Sequence, residues 1–111
     1  MVSRYLDGTK YELEGKNKPT LVLIHGLGLN RKMWKYQISY FRNTYRILSY
    51  DLYGHGQSKN SEREPSLDVF TQQLKSLLDM LKLSKVVLIG FSLGGMIARH
   101  FTQAYPDKIR S

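Results

Sequence analysis

The sequence contains no cysteine. That excludes a disulfide framework, a thiolate metal site and a cysteine nucleophile. No stretch approaches the ~18 consecutive apolar residues of a membrane-spanning helix. The N-terminal MVSRYLDGTKYELEG also lacks an apolar core of signal-peptide length. A cytoplasmic protein without a membrane partner is the expectation from these absences. Internal repeats and low-complexity segments are missing as well. Acidic side chains are few: 9 Asp and Glu stand against 17 Lys and Arg, a formal net charge of +8. Such a balance raises nucleic acid as a partner. The basic residues are nevertheless spread along the chain. Their densest groups, Lys16/Lys18 and Arg31/Lys32/Lys35, are not interleaved with aromatics as in a recognition module. A basic surface with no nucleic-acid partner is therefore expected.

What is present suits one small domain. The chain has 111 residues, of which 41% are apolar, enough for a core. Tyr5-Leu6, Asp7-Gly8, then Tyr11 and Leu13 read as a hairpin around a DG turn. Thr20-Leu21-Val22-Leu23-Ile24 is a continuous apolar run, the pattern of a strand buried on both faces of a parallel sheet. It stops at His25-Gly26-Leu27-Gly28. Asn30 can cap a helix over residues 31–42, with Trp34, Ile38 and Phe41 at helical spacing. Tyr45 to Tyr50 reads as the next strand, ending in the glycine-bearing turn 51–58. Ser66 caps a clear amphipathic helix with Leu67, Phe70, Leu74, Leu77, Leu78 and Leu81 on one stripe. Lys85 to Ile89 is a third strand. Ser92 to Ala104 is a helix with Met96, Ile97, His100 and Phe101 as inner-face candidates, ended by Tyr105-Pro106-Asp107. Strand–helix alternation implies βαβ units and a mostly parallel sheet with flanking helices. In such sheets ligands sit beyond the carboxyl ends of the strands. The turns at 25–28, 51–58 and 90–95 all lie at those ends.

The stretch 90–95, GFSLGG, carries the chemistry. Between a buried strand and a helix, G-x-S-x-G makes a turn so tight that the serine takes a strained backbone conformation. Its neighbours two residues away must be small, hence Gly90 and Gly94. The strain lifts the Ser92 hydroxyl clear of the sheet. The helix start supplies free N–H groups and the positive end of a dipole. The Leu93 N–H can then face an oxyanion, and Leu27, just after His25-Gly26, is placed to supply a second donor. The bland reading of Ser92 is a helix N-cap. His25 reads as a buried histidine that shapes the loop rather than as a base, and His55 reads as structural. His100 lies eight residues past Ser92 on one helix, about 12 Å along the axis, too far to reach it. Asp51 reads as a tie for its glycine turn rather than a catalytic acid. No cofactor and no metal ion are expected.

LVLIHGLG (21–28), YDLYGHGQS (50–58) and GFSLGG (90–95) stand in an order and at separations that resemble the α/β-hydrolase fold family, in its broad esterase-like branch. The resemblance covers essentially the whole chain but only the N-terminal part of that fold. It implies that the hairpin is the first two strands, and that 20–24, 45–50 and 86–90 are the third, fourth and fifth. It places the sixth strand beside the fifth, with Ile109 as its first residue. Residues 1–111 are then expected to form a partial domain. The implied triad order is Ser, then Asp or Glu, then His. Asp107 and His100 alone follow Ser92, so the acid and base are expected outside this chain. Serine rather than aspartate at position 92 argues against the family's haloalkane-cleaving branch. The expected function is a serine hydrolase acting on a carboxylic ester or similar acyl substrate. The rival is a non-catalytic truncated or ligand-binding relative. The expected partners are an acyl substrate and the missing C-terminal half or a second copy.

Overall fold

The computed structural model describes residues 4–110. Asp7 and Gly8 both adopt positive φ, 49° and 75°, the geometry of the primed turn that matches strand twist. They join β1 (Arg4–Leu6) to β2 (Thr9–Glu14) as an antiparallel hairpin. β2 also pairs antiparallel with β4 (Arg46–Tyr50), with Tyr11 opposite Tyr50. β3 (Thr20–Ile24) runs parallel to β4 and to β5 (Val87–Gly90). The sheet order is β1-β2-β4-β3-β5. All five residues of β3 are buried, as its unbroken apolar run requires of a central parallel strand.

Period-2 alternation divides the sheet into two faces. Val22, Ile24, Leu48 and Tyr50 point to one face and pack against α2 (Leu67–Leu81) and α3 (Leu93–Ala104) through Phe70, Leu74, Leu77, Leu78, Ile97 and Phe101. Leu21, Leu23 and Ile47 point to the other and pack against Trp34 and Ile38. Ser66 caps α2, accepting the Val69 N–H at 3.2 Å.

Four local expectations are corrected. Residues 31–42 are not one helix. A 3-10 turn over Arg31–Trp34 precedes α1 (Lys35–Phe41), and Phe41 is exposed. Lys85 has φ 53°, so it ends the loop after α2 and the strand starts only at Val87. On α3, Ile97 and Phe101 face the core but Met96 is exposed. His100 is half-buried, its Nδ1 2.9 Å from the Thr71 hydroxyl of α2. Ile109 does begin a pairing beside β5. Its neighbours hold Val86 in a parallel bridge, the Val86 N–H donating to Lys108 O (3.0 Å) and the Arg110 N–H to Val86 O (2.8 Å). Among the described residues no helix is long and apolar enough to cross a membrane.

Candidate active site

Three loops meet at the carboxyl ends of β3, β4 and β5. The Phe91 N–H donates to Ile24 O at 3.0 Å, which ties the end of β5 to the end of β3. The chain then reverses at Ser92, whose φ is 56° and ψ −116°. A β-carbon side chain held there is strained, and such strain persists only where the surroundings over-determine it. The surroundings are visible. A Cβ added at Gly90 would strike the Gly94 carbonyl, and one added at Gly94 would strike the Ile24 carbonyl. The small residues at 90 and 94 are thus required by backbone packing against backbone.

Ser92 stands at the N-cap position of α3 but does not cap it, because its side chain accepts no helix N–H. It is exposed. The bland reading of this serine as a cap is therefore corrected. Among the described residues its hydroxyl has no hydrogen-bond partner, and neither do the N–H groups of Leu93 and Leu27. The loop bearing Leu27 lies against the elbow: a Cβ on Gly26 would sit 3.4 Å from the Ser92 Cβ.

His25 is wholly buried and both its ring nitrogens are engaged. Nδ1 lies 2.7 Å from Gly26 O, and Nε2 lies 3.0 Å from the Leu52 N. A carbonyl only accepts and an N–H only donates, so the ring is neutral with its proton on Nδ1. Burial is the main cause that holds its pKa below the ordinary value, with a smaller lowering from His55. The Gly26–Leu27 peptide is planar, with its C=O and N–H on opposite sides. His25 and the Leu29 N–H (3.1 Å) both hold Gly26 O, so they also fix the direction of the Leu27 N–H. His25 therefore holds this loop, with neither ring nitrogen left free among the described residues.

Asp51 is fully buried and likewise committed. Its carboxylate accepts from the Arg31 N–H (2.7 Å), the Arg31 guanidinium (2.8 Å) and the Gln57 N–H (2.9 Å). Gly56 is packed directly on it, leaving no room for a Cβ. The reading of Asp51 as a tie for the glycine turn accords with this geometry. His55 is half-buried, with Nδ1 2.9 Å from Tyr53 O and its ring 5.1 Å from that of His25. No hydrogen bond joins any histidine to Ser92 among the described residues.

Sequence reasoning missed the residues that brace these loops. Arg31 is a buried cation bridging Asp51 and Glu12, the latter at 3.3 Å. Gln73 of α2 donates to Asp51 O and the Thr9 hydroxyl, both at 3.1 Å, and accepts the Tyr53 N–H. Ser58 donates to Asp51 O at 2.6 Å and accepts the Lys10 N–H. The partners are 19 or more residues apart for Arg31 and Gln73, so no local pattern exposes them. Among the described residues no group of three or more metal-ligating side chains could hold an ion.

A family model described as the alpha/beta hydrolase fold matches residues 19–111. "Epoxide hydrolase 4" of Mus musculus is 38% identical over 96 residues, covering 85% of this chain and 27% of its own length. "(E)-2-((N-methylformamido)methylene)succinate hydrolase" of Acinetobacter baylyi is 35% identical, with 90% of this chain and 38% of its own length covered. Among solved structures, a thermophilic esterase from Thermogutta terrifontis, with malate bound, superposes with a TM-score of 0.86 at 31% identity. That match covers 91% of this chain and 37% of the esterase. The chain thus spans well under half the length of these proteins.

Proposed function

This chain belongs to the α/β-hydrolase fold family, and from that premise we propose that it is the nucleophile-bearing part of a serine hydrolase acting on a carboxylic ester or a similar acyl compound. The observation that carries the proposal is Ser92, an exposed serine at φ 56° whose hydroxyl caps nothing. In this reading Ser92 Oγ attacks the carbonyl carbon and its proton passes to a histidine. The N–H groups of Leu27 and Leu93 stabilise the resulting oxyanion. The alcohol leaves with the proton held by the histidine. Water then repeats the cycle on the acyl-enzyme, releasing the acid and restoring Ser92. His25 has both nitrogens engaged, His55 has Nδ1 against Tyr53 O and no bond to Ser92 among the described residues, and His100 is too distant along α3. The histidine and its acid would therefore come from a C-terminal half, which would also lay a strand along the outer edge of β5 beyond the Val86–Ile109 bridge.

The name of the mouse relative raises epoxide opening as a second chemistry. Ser92 speaks against it. A serine oxygen attacking an epoxide carbon forms an ether, which water does not readily cleave. Attack on an acyl carbon forms an ester, which it does.

Fluorophosphonate labelling tests the proposal. The chain alone should label and turn over a p-nitrophenyl ester no faster than its Ser92→Ala variant. The same segment joined to a C-terminal half that supplies acid and histidine should label at Ser92. Labelling elsewhere, or equal labelling of Ser92→Ala, would sink the assignment. A folded, joined protein that never labels would favour a non-catalytic scaffold.

A further inference from the structure

At the pole of the sheet opposite Ser92, the amino ends of β3, β4 and β5 enclose a hollow of about 380 Å³. Its wall includes Thr20, the first residue of β3, and Arg46, the first of β4. Lys85, just ahead of β5, and Lys82, Lys18 and Arg110 complete the charged lining. Five cations thus face one concavity, and among the described residues no carboxylate lines it. Nor does any of the five have a carboxylate within ion-pair distance among the described residues, although Lys108 and Lys75 nearby are both paired with Asp79.

Part of this has an ordinary structural account. Arg46 Nε donates to the Thr20 hydroxyl at 2.8 Å. Lys82 caps the carboxyl end of α2, where a cation offsets the helix dipole. Among the described residues the side chains of Lys18, Lys85 and Arg110 make no hydrogen bond or ion pair. Moreover, Lys82 and Lys85 hold φ of 56° and 53°, a region where glycine or asparagine would sit with less strain. Like charges gathered in one concavity repel, screened in part by water because Lys18, Lys82, Lys85 and Arg110 are exposed. A compact anion with more than one charge relieves it. A phosphoryl group also offers several acceptor oxygens to lysine, arginine and hydroxyl donors.

We propose that this hollow binds a small, multiply charged phosphoryl anion of the pyrophosphate or phosphate-monoester class. The site is independent of the acyl chemistry at Ser92, because the full length of the strands, roughly 15 Å, separates the two.

Equilibrium dialysis of the full chain against radiolabelled pyrophosphate tests it, at an ionic strength near 0.1 M, where charges beyond about 10 Å are screened. A single saturable site is expected. Lys18→Gln/Lys85→Gln should weaken it about fivefold or more. Lys32→Gln/Lys35→Gln, an equal loss of charge at residues that do not line the hollow, should leave it unchanged. Circular dichroism confirms that each variant is folded, and Lys85→Gln alone replaces the double variant should that one unfold. Equal weakening by both pairs would mean diffuse attraction and overturn the site. Full displacement by a short single-stranded oligonucleotide at equal phosphate concentration would overturn the small-anion assignment in favour of a polymer.

Discussion

Two serines stand at the head of two helices, and they do opposite things. Ser66 has φ −158°, extended backbone that any residue adopts, and its hydroxyl accepts the Val69 N–H. Ser92 has φ 56° and its hydroxyl accepts nothing from α3. The first spends its side chain on the helix and is held in a relaxed backbone. The second is held in a strained backbone, and its side chain is left for something outside the helix. The difference comes from what surrounds each turn. Ser66 follows a polar surface loop with room to relax. Ser92 is pinned between Gly90 and Gly94, with the carbonyls of Ile24 and Gly94 closing the space on either side. A serine at a helix start thus spends its hydroxyl on the helix or leaves it unspent according to its φ, and φ here is imposed by packing.

Exchanging the fates of the two serines gives the largest expected effect. In a protein carrying this segment with a competent C-terminal half, Ser92→Ala should lower kcat on a p-nitrophenyl ester on the order of 10⁴-fold or more. Its denaturant midpoint should hardly move. Ser66→Ala should leave kcat alone. An active Ser92→Ala protein would end the contrast.

Next in size is the clamp that imposes the strain. Gly94→Ala puts a methyl against the Ile24 carbonyl, which belongs to a buried strand and cannot yield. The expected loss is roughly 3 kcal/mol or more of stability, read by urea unfolding. A neutral result would mean that β3 and α3 are not locked together, and the strain at Ser92 would lose its cause.

The neutral state of His25 gives a pH signature of intermediate size. Its folded pKa lies below the ordinary 6.5, chiefly through burial. Above that value the ring is neutral in both states, and its contribution is fully present. As pH falls below it, the unfolded chain takes up the proton first, so stability declines until the folded pKa is passed. Unfolding midpoints at pH 7 and about 5.5 should therefore differ more for wild type than for His25→Asn. A wild-type midpoint as flat as that of the variant would show that the ring is not held neutral.

The smallest effects fall on the two serines again, with opposite sign. Ser66→Ala removes a working cap and should cost about 1 kcal/mol. Ser92→Gly removes a side chain from a left-handed position and should stabilise by about 1 kcal/mol. Equal signs would mean that the two helix starts are alike after all.

Much of this arrangement could be read along the chain, because it rests on neighbours. The apolar run at 20–24, the DG turn of the hairpin, the stripe of α2 and the spacing of Gly90, Ser92 and Gly94 are local patterns. Each reports the strand, turn, helix or elbow that its own residues make. Boundaries were less legible. The chain enters α1 through a 3-10 turn, and Lys85 keeps left-handed backbone where a strand was expected, since hydrogen bonds to distant segments decide where an element begins. The exposure of Met96 beside buried Ile97 and Phe101 likewise depends on which arc of α3 meets the sheet, not on its periodicity.

The sequence alone determined that a serine sits in a tight strand-to-helix turn, since that depends only on residue size and order over six positions. The tertiary structure decided everything that required two distant segments to meet. It seated Arg31 on Asp51 across 20 residues, braced the same turn with Gln73, and engaged both nitrogens of His25 with Gly26 and Leu52. It also gathered five scattered cations at the amino ends of three strands. The physical reason is the same in each case: hydrogen bonds and charge fields act over a few ångströms of space, and sequence separation carries no record of that distance until the sheet brings the segments together.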